Sequence, residues 1–165
     1  MATLLLFLIP AGLIAPVVLA GFGLRALVRI GRGGASRHLW LRGSAAFLAA
    51  AAVALYTWGL LHLAGTVLDA EDGGTDSSPL RPCRVPGHPE RAAEVVDYTV
   101  SYVPLRFLCE EKDGESYSAK SVPAYVNPAV LGFALAAVAC VGAAATDSER
   151  RRLREGPETD HAGQP

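Results

Sequence analysis

The chain has almost no net charge and very few lysines. Its 165 residues carry 15 basic and 16 acidic side chains, which gives a formal net charge of −1. A nearly neutral chain lacks the basic surface of nucleic-acid-binding proteins, so we expect no nucleic-acid partner. Nearly all the basic residues are arginine, and alanine, glycine and valine are abundant. This composition is typical of a high-GC bacterial genome.

Motifs that carry chemistry are also missing. Gly21 to Ala26 fit the dinucleotide pattern G-x-G-x-x-A, but Arg42 stands near the position where that pattern needs an acid. The cysteines and histidines match no zinc-finger spacing. No serine, histidine and carboxylate can be paired into a nucleophilic site. We therefore expect no enzyme, no metal and no cofactor.

Charged residues are absent from three long apolar blocks of the sequence. The blocks run from Leu4 to Leu24, from about Ala45 to Leu68 and from about Pro128 to Thr146. Each block exceeds or approaches the roughly 20 residues that cross about 30 Å of hydrocarbon as a helix. We predict a membrane protein with an all-α core of three transmembrane helices, over residues 4–30, 44–68 and 127–147.

A cleaved signal peptide is the alternative for the first block. Val18-Leu19-Ala20 resembles a cleavage site with small residues. However, no basic residue precedes the apolar run, and the run is longer than the usual 7 to 15 residues. We expect the first block to be retained, although cleavage stays open.

Arginine flanks the apolar blocks in two places. The first cluster surrounds the short connection at residues 31–43, and the second follows the third block. The positive-inside rule places both clusters in the cytoplasm, and two intervening spans require them to share a side. We predict a multi-pass plasma-membrane protein with its N-terminus and residues 69–126 outside and its tail, residues 148–165, inside and disordered at its end. The topology-determining residues are Arg25, Arg29, Arg32, Arg37, Arg42, Arg150, Arg151, Arg152 and Arg154.

The segment 69–126 contains a strand pattern. Val95 to Val103 is β-branched and aromatic, and Leu105 to Cys109 continues it after Pro104, which we interpret as a bulge or edge position. An Asp-Gly turn then leads into Ser116 to Val122. We predict a small extracytoplasmic β-hairpin over about 95–122.

Two cysteines lie in the same segment. Cys83 and Cys109 would face an oxidising compartment, so we predict a disulfide that closes the hairpin, with two free thiols as the alternative. The third, Cys140, lies in the third block and is expected to be a small packing residue.

Several polar residues have open roles. Asn127-Pro128-Ala129 resembles the signature of aquaporins, which have six spans and two copies of it. We predict instead that Asn127 caps the third helix and that Pro128 occupies its first turn. His62 near the end of the second block and the acidic cluster beyond it have no assigned role. That cluster comprises Asp69, Glu71, Asp72 and Asp76.

Two stretches resemble small uncharacterised membrane proteins of actinobacteria. These are Val100 to Phe107, together with Cys109, and Val122 to Pro128. The resemblance implies a membrane protein of a high-GC bacterium and no particular activity.

The sequence therefore favours a non-enzymatic binding or structural component of the cell envelope. Its expected partners are the lipid bilayer and another membrane or envelope protein, or a second copy in a homo-oligomer. The alternative is an accessory subunit of a membrane transporter, in which His62 would lie near a pathway.

Overall fold

Three long helices dominate the structure. The computed structural model describes residues 2–31, 37–72, 79–84 and 89–155. The long helices are α1 (Ala2–Gly31), α2 (Arg37–Glu71) and α4 (Val126–Glu155). All three are long and apolar enough to cross a membrane. The prediction of three such helices is confirmed.

All three helices extend beyond the predicted spans, α2 and α4 by several residues. α2 begins at Arg37, so the second half of the predicted turn 31–43 is helical. α4 continues past residue 147 to Glu155. Arginine, leucine and glutamate are good helix formers, so a helix does not have to end where its apolar block ends. Arg32 in the turn and the predicted disordered end, residues 156–165, lie outside the described residues.

The segment between α2 and α4 forms a sheet of three strands. Its strands are β1 (Val95–Tyr102), β2 (Leu105–Glu111) and β3 (Ser116–Ala119), in antiparallel order β1-β2-β3. Two short helices precede the sheet, a 3₁₀ turn at Arg81–Cys83 and α3 at Pro89–Ala93.

The predicted position of Pro104 in the sheet was wrong. Pro104 is neither a bulge nor an edge position within one long strand, because Tyr102 pairs with Leu105 across the two-residue turn Val103-Pro104, whose peptide bond is cis. Proline has no N–H to donate to a strand ladder, and here the chain reverses direction at that residue. The hairpin expected from the sequence is therefore a three-stranded sheet.

The turn between β2 and β3 is the predicted Asp-Gly turn. Gly114 has a φ of +87°, which a residue without a side chain adopts easily. Its N–H donates to Glu111 O at 3.0 Å, and Glu111 N–H donates to Glu115 O at 2.8 Å. The Asp113 carboxylate accepts from Glu115 N–H at 3.1 Å. β3 ends at Ala119, three residues before the predicted end.

The chain divides into two compact units. The sheet unit comprises Met1–Leu13 and Val53–Val130, and the helical unit comprises Ile14–Ala52 and Leu131–Pro165. In the helical unit α1 and α2 approach closely. A Cβ on Gly23 would lie 2.8 Å from the Phe47 ring, and one on Gly43 would lie 3.3 Å from the Ala26 Cβ.

The core of the sheet unit lies between the sheet and the last third of α2. Leu60, Leu63 and Val67 follow the helical spacing that forms one buried face. Alternate residues of β2 face them, namely Leu105 and Phe107. Leu5 of α1 and Val126 of α4 complete this core.

The opposite face of the sheet is mostly polar, with Leu108 as an apolar member. Thr99, Ser101, Arg106 and Glu110 alternate with the buried residues of β1 and β2. The Thr99 hydroxyl bonds to the Glu110 carboxylate. One face of the sheet therefore packs against helices and the other is free to meet water.

Candidate functional site

A disulfide and a tyrosine hydrogen bond hold together three elements of the sheet unit. Cys83 in the 3₁₀ turn is bonded to Cys109 in β2 with a Cα–Cα distance of 6.0 Å, and both residues are fully buried. The Tyr117 hydroxyl of β3 donates to the Cys83 carbonyl at 2.5 Å. The predicted disulfide is confirmed, and it fixes the 3₁₀ turn against β2, while the Tyr117 hydrogen bond joins that turn to β3.

A basic groove opens beside this disulfide. It has a volume of about 750 Å³ and receives residues from α2, the 3₁₀ turn, α3, β3 and the residues after β3. Four of its side chains are basic, and Asp69 is its single acidic side chain among the described residues. We define the basic groove by the residues Thr66, Asp69, Arg81, Pro82, Arg84, Arg91, Tyr117, Ser118, Ala119, Lys120 and Ser121.

Two of the arginines are held in place by specific contacts. Arg84 Nε donates to the Pro79 carbonyl at 3.2 Å. Arg91 Nε lies 3.1 Å from Glu111 Oε1, and its guanidinium carbon lies 5.4 Å from the centre of the Tyr117 ring. The Glu111 side chain is only 4% exposed, so Arg91 compensates a buried negative charge. Arg81 and Lys120 are both exposed.

The charge of the groove is opposite to that of its surroundings. Residues 69–126 contain eleven acidic and six basic side chains. Four of those six basic side chains line the groove. Clustered basic groups in a concave site attract carboxylate or phosphate groups, and arginine can bind either of them through two parallel hydrogen bonds. The groove can therefore bind an anionic group.

Tyr117 lies in this groove as a neutral hydroxyl. Burial raises the pKa of its phenol, and the carboxylate of Glu111 raises it further, while Arg91 acts in the opposite direction. A neutral phenol keeps its proton, and here it donates that proton to Cys83.

The sequence did not reveal this groove. Its basic residues are separated by up to 39 positions and belong to a segment that is acidic as a whole. The available signal was Arg81 and Arg84 on either side of Cys83, because a disulfide fixes its neighbours in space.

Two of the acidic residues beyond the second block, Asp69 and Glu71, have separate surroundings. Asp69 lines the basic groove, whereas Glu71 accepts a hydrogen bond from the Tyr98 hydroxyl at 2.8 Å. Burial, together with Glu71, raises the pKa of Tyr98 to about 12. Asp76 lies outside the described residues.

A second group of carboxylates surrounds the β2–β3 turn. Glu111, Asp113 and Glu115 each place one carboxylate oxygen within 4.8 Å of the others. Arg91 pairs with Glu111, and Asp113 accepts the Glu115 N–H, so the turn itself accounts for this proximity.

His62 lies at the surface, whereas Asn127 is not the helix cap expected from the sequence. His62 is exposed, and its ring packs edge-to-face on Trp58 with centroids 4.8 Å apart. Asn127 does not cap the third helix, because its side chain bonds to the backbone of Leu105. Pro128 lies in the first turn of α4, as predicted.

The structure brings three of the predicted arginines together. Arg25, Arg29 and Arg42 line one groove of about 720 Å³ in the helical unit, whose walls include Phe22 and Leu39. Arg37 is the first residue of α2. The remaining arginines of the second cluster lie in the last turns of α4, namely Arg150, Arg151, Arg152 and Arg154.

No protein-family model matches the chain, and no curated protein or solved structure shows significant similarity to it. Function is therefore inferred from the chemistry of the described residues.

Proposed function

We propose that this chain is a three-span protein of a bacterial plasma membrane and a non-enzymatic binding component of the cell envelope. The three apolar helices support the membrane placement. The groove of Arg25, Arg29 and Arg42 supports a cytoplasmic position for the α1–α2 connection, since arginine-rich connections stay on that side. Three crossings then put the N-terminus and the sheet outside and the C-terminus inside.

The basic groove is the observation that carries the binding role. We infer that it receives an acidic segment of another membrane or envelope protein. The disulfide keeps the groove walls in fixed positions, so little ordering cost opposes binding. Charge attraction would speed the encounter of the two proteins, and its effect would weaken as salt shortens the Debye length below about 8 Å.

Photocrosslinking from inside the groove tests this proposal. A photoreactive amino acid at Ser118 should form an adduct with a partner in native membranes. Reversing two charges with Arg81→Glu and Lys120→Glu should abolish the adduct. The control is Lys112→Glu, which reverses one basic charge in the β2–β3 turn, outside the groove. This control should retain the adduct.

The outcomes separate the possible partners. An adduct of a heterologous protein that disappears only with the groove variant supports the proposal. An adduct of twice the chain's own mass would identify a second copy as the partner. The binding role is wrong if no adduct forms, or if the groove variant and the Lys112 variant crosslink equally well.

A further inference from the structure

The sheet lies alongside α2 instead of beyond its end. Near the last turn of α2, Tyr98 of β1 donates to Glu71. Four residues later in β1, Tyr102 accepts at its carbonyl a hydrogen bond of 3.0 Å from the Tyr56 hydroxyl. Tyr56 precedes Glu71 by 15 residues, which is about 22 Å along a helix. The β1–β2 turn is therefore level with the middle of α2.

The first turn of α4 lies at this same level. A Cβ on Gly59 would lie 2.6 Å from Leu105 Cδ1 and 2.9 Å from Val126 Cγ1, so the start of β2 and the start of α4 both pack against Gly59. α4 has no charged residue from Val126 to Thr146. This stretch is about 31 Å long, so all of it is needed to cross a hydrocarbon core of about 30 Å.

By the length of α4, the outer boundary of the hydrocarbon therefore passes near Gly59, before the end of α2. With 35 residues α2 is about 52 Å long, which exceeds the core by about 22 Å. α1 places the boundary still farther out. Gly12 lies against Thr57, and the residues that precede Gly12 include the exposed Leu6 and Phe7. Whether the boundary is set by α4 or by α1, the β1–β2 turn lies at or below the membrane surface.

The chemistry at this level is that of a membrane interface. Trp58 and Tyr125 are exposed there, and Tyr56 and Tyr102 are half-buried. Tryptophan and tyrosine are enriched where a membrane protein meets the headgroup region. With the boundary near Gly59, His62, which lies beyond Trp58 on α2, is in the headgroup region.

Charge is segregated between the two ends of the sheet. The β2–β3 turn and the residues beside it, from Glu110 to Glu115, carry five charges in six residues. At the other end, Tyr102 to Leu105 carries none, and Val103 at the tip is 87% exposed. Arg106 follows on the exposed face, where a long side chain can reach lipid phosphates.

We propose that the β1–β2 turn is a membrane-insertion tip, with Val103 and Pro104 in the headgroup–acyl boundary of the outer leaflet. The apolar tip enters lipid, Arg106 contacts phosphate, and the charged β2–β3 turn points to water. This inference rests on the proposed membrane placement of the helices. It adds a fourth contact with the bilayer, made by the sheet.

Spin labels on the full chain in phosphatidylcholine–phosphatidylglycerol vesicles test this inference. Single cysteines would replace Val103, Asp113 or Leu135 in a Cys140→Ala background with the disulfide intact. Asp113 is the water control at the opposite end of the sheet, and Leu135 on α4 is the hydrocarbon control. The measurement is the ratio of accessibility to oxygen over accessibility to a charged nickel chelate.

We expect the ratio at Val103 to exceed that at Asp113 by at least about threefold, because a charged chelate is excluded from hydrocarbon. If Val103 matches Asp113 while Leu135 is lipid-exposed, the insertion tip is wrong and the three-span placement stands. If the ratio at Leu135 also equals that at Asp113, the three-span placement is wrong, and the insertion tip, which rests on it, is wrong as well. Both cysteines are fully buried in the folded sheet, so resistance of the Cys83–Cys109 bond to mild reduction in each variant shows that the sheet has folded.

Discussion

The side chain of Asn127 pairs with the backbone of Leu105 through two hydrogen bonds. Leu105 N–H donates to Asn127 Oδ1 at 3.0 Å, and Asn127 Nδ2 donates to the Leu105 carbonyl at 3.1 Å. β3 pairs with β2 only from Phe107 onward, so Leu105 has no strand neighbour on that side. The Asn127 amide takes the place of that neighbour and ties the sheet to the first turn of α4.

We predict that Asn127→Ala destabilises the sheet unit. The backbone N–H and carbonyl of Leu105 would both lose their hydrogen-bond partner, and Leu105 is only 1% exposed. Each buried polar group left unpaired costs about 1 to 3 kcal/mol. Thermal unfolding in detergent should shift downward by several degrees. Ser116→Ala, on the exposed end of β3, is the control and should leave the midpoint unchanged. An unchanged midpoint in Asn127→Ala would show that this pairing carries no stability.

Gly59 and Gly65 provide a matched pair of positions in α2. A Cβ at Gly59 would collide with Leu105 and Val126, which are too deeply buried to move away. We predict that Gly59→Ala lowers stability by about 1 to 3 kcal/mol, as overpacking does. Gly65 has nothing within 4 Å of its Cβ position, so Gly65→Ala should be neutral or stabilising by up to about 1 kcal/mol. Equal unfolding temperatures for the two variants would contradict the close approach at Gly59.

The Cys83–Cys109 bond should be a main source of stability in the sheet unit. It joins residues 26 positions apart, and the chain-entropy model gives about 3.5 kcal/mol for a loop of that length. We predict that the double variant Cys83→Ala, Cys109→Ala unfolds at a clearly lower denaturant concentration. Cys140→Ala, which removes the free cysteine, is the control and should unfold like the wild type. Coincident unfolding curves for all three proteins would refute this contribution.

The sequence predicted those features that depend on local pattern. The three helices follow from runs of apolar residues, and the Asp-Gly turn follows from the conformation that Gly114 adopts. The disulfide followed from the position of both cysteines in one segment. Each of these signals is contained in neighbouring residues or in one contiguous segment.

Features that depend on tertiary contacts were missed. Pro104 suits a bulge, an edge or a turn equally well, and only the pairing of Tyr102 with Leu105 distinguishes them. Asn127 suited a helix cap by local rules, but Leu105, 22 residues away, binds its side chain. The basic groove was hidden for the same reason, since separate elements supply its arginines and Lys120.

The proposed orientation predicts which residues a membrane-impermeant thiol reagent can reach in intact cells. In a Cys140→Ala background, Lys112→Cys in the β2–β3 turn should react, whereas Arg37→Cys at the start of α2 should react only after permeabilisation. Arginine placed at the centre of a span costs about 2.5 to 3.5 kcal/mol, which keeps arginine-rich connections in the cytoplasm. Labelling of Arg37→Cys in intact cells would show that the true orientation is the reverse of the proposed one.

Tyr98 should make the sheet unit sensitive to alkaline pH. Its pKa is raised from 10.0 to about 12, chiefly by burial and then by its hydrogen bond to Glu71. A raised pKa in the folded state means that stability is fully present below pH 10 and is lost as the pH rises toward 12. We therefore predict that the unfolding temperature of the wild type falls more steeply over this range than that of Tyr98→Phe. Glu71→Gln should move the Tyr98 titration, followed by tyrosinate absorbance, to lower pH without returning it fully to 10.0, because burial remains. If the unfolding temperatures of the wild type and Tyr98→Phe fall equally from pH 10 to 12, ionisation of the Tyr98 phenol is not coupled to folding.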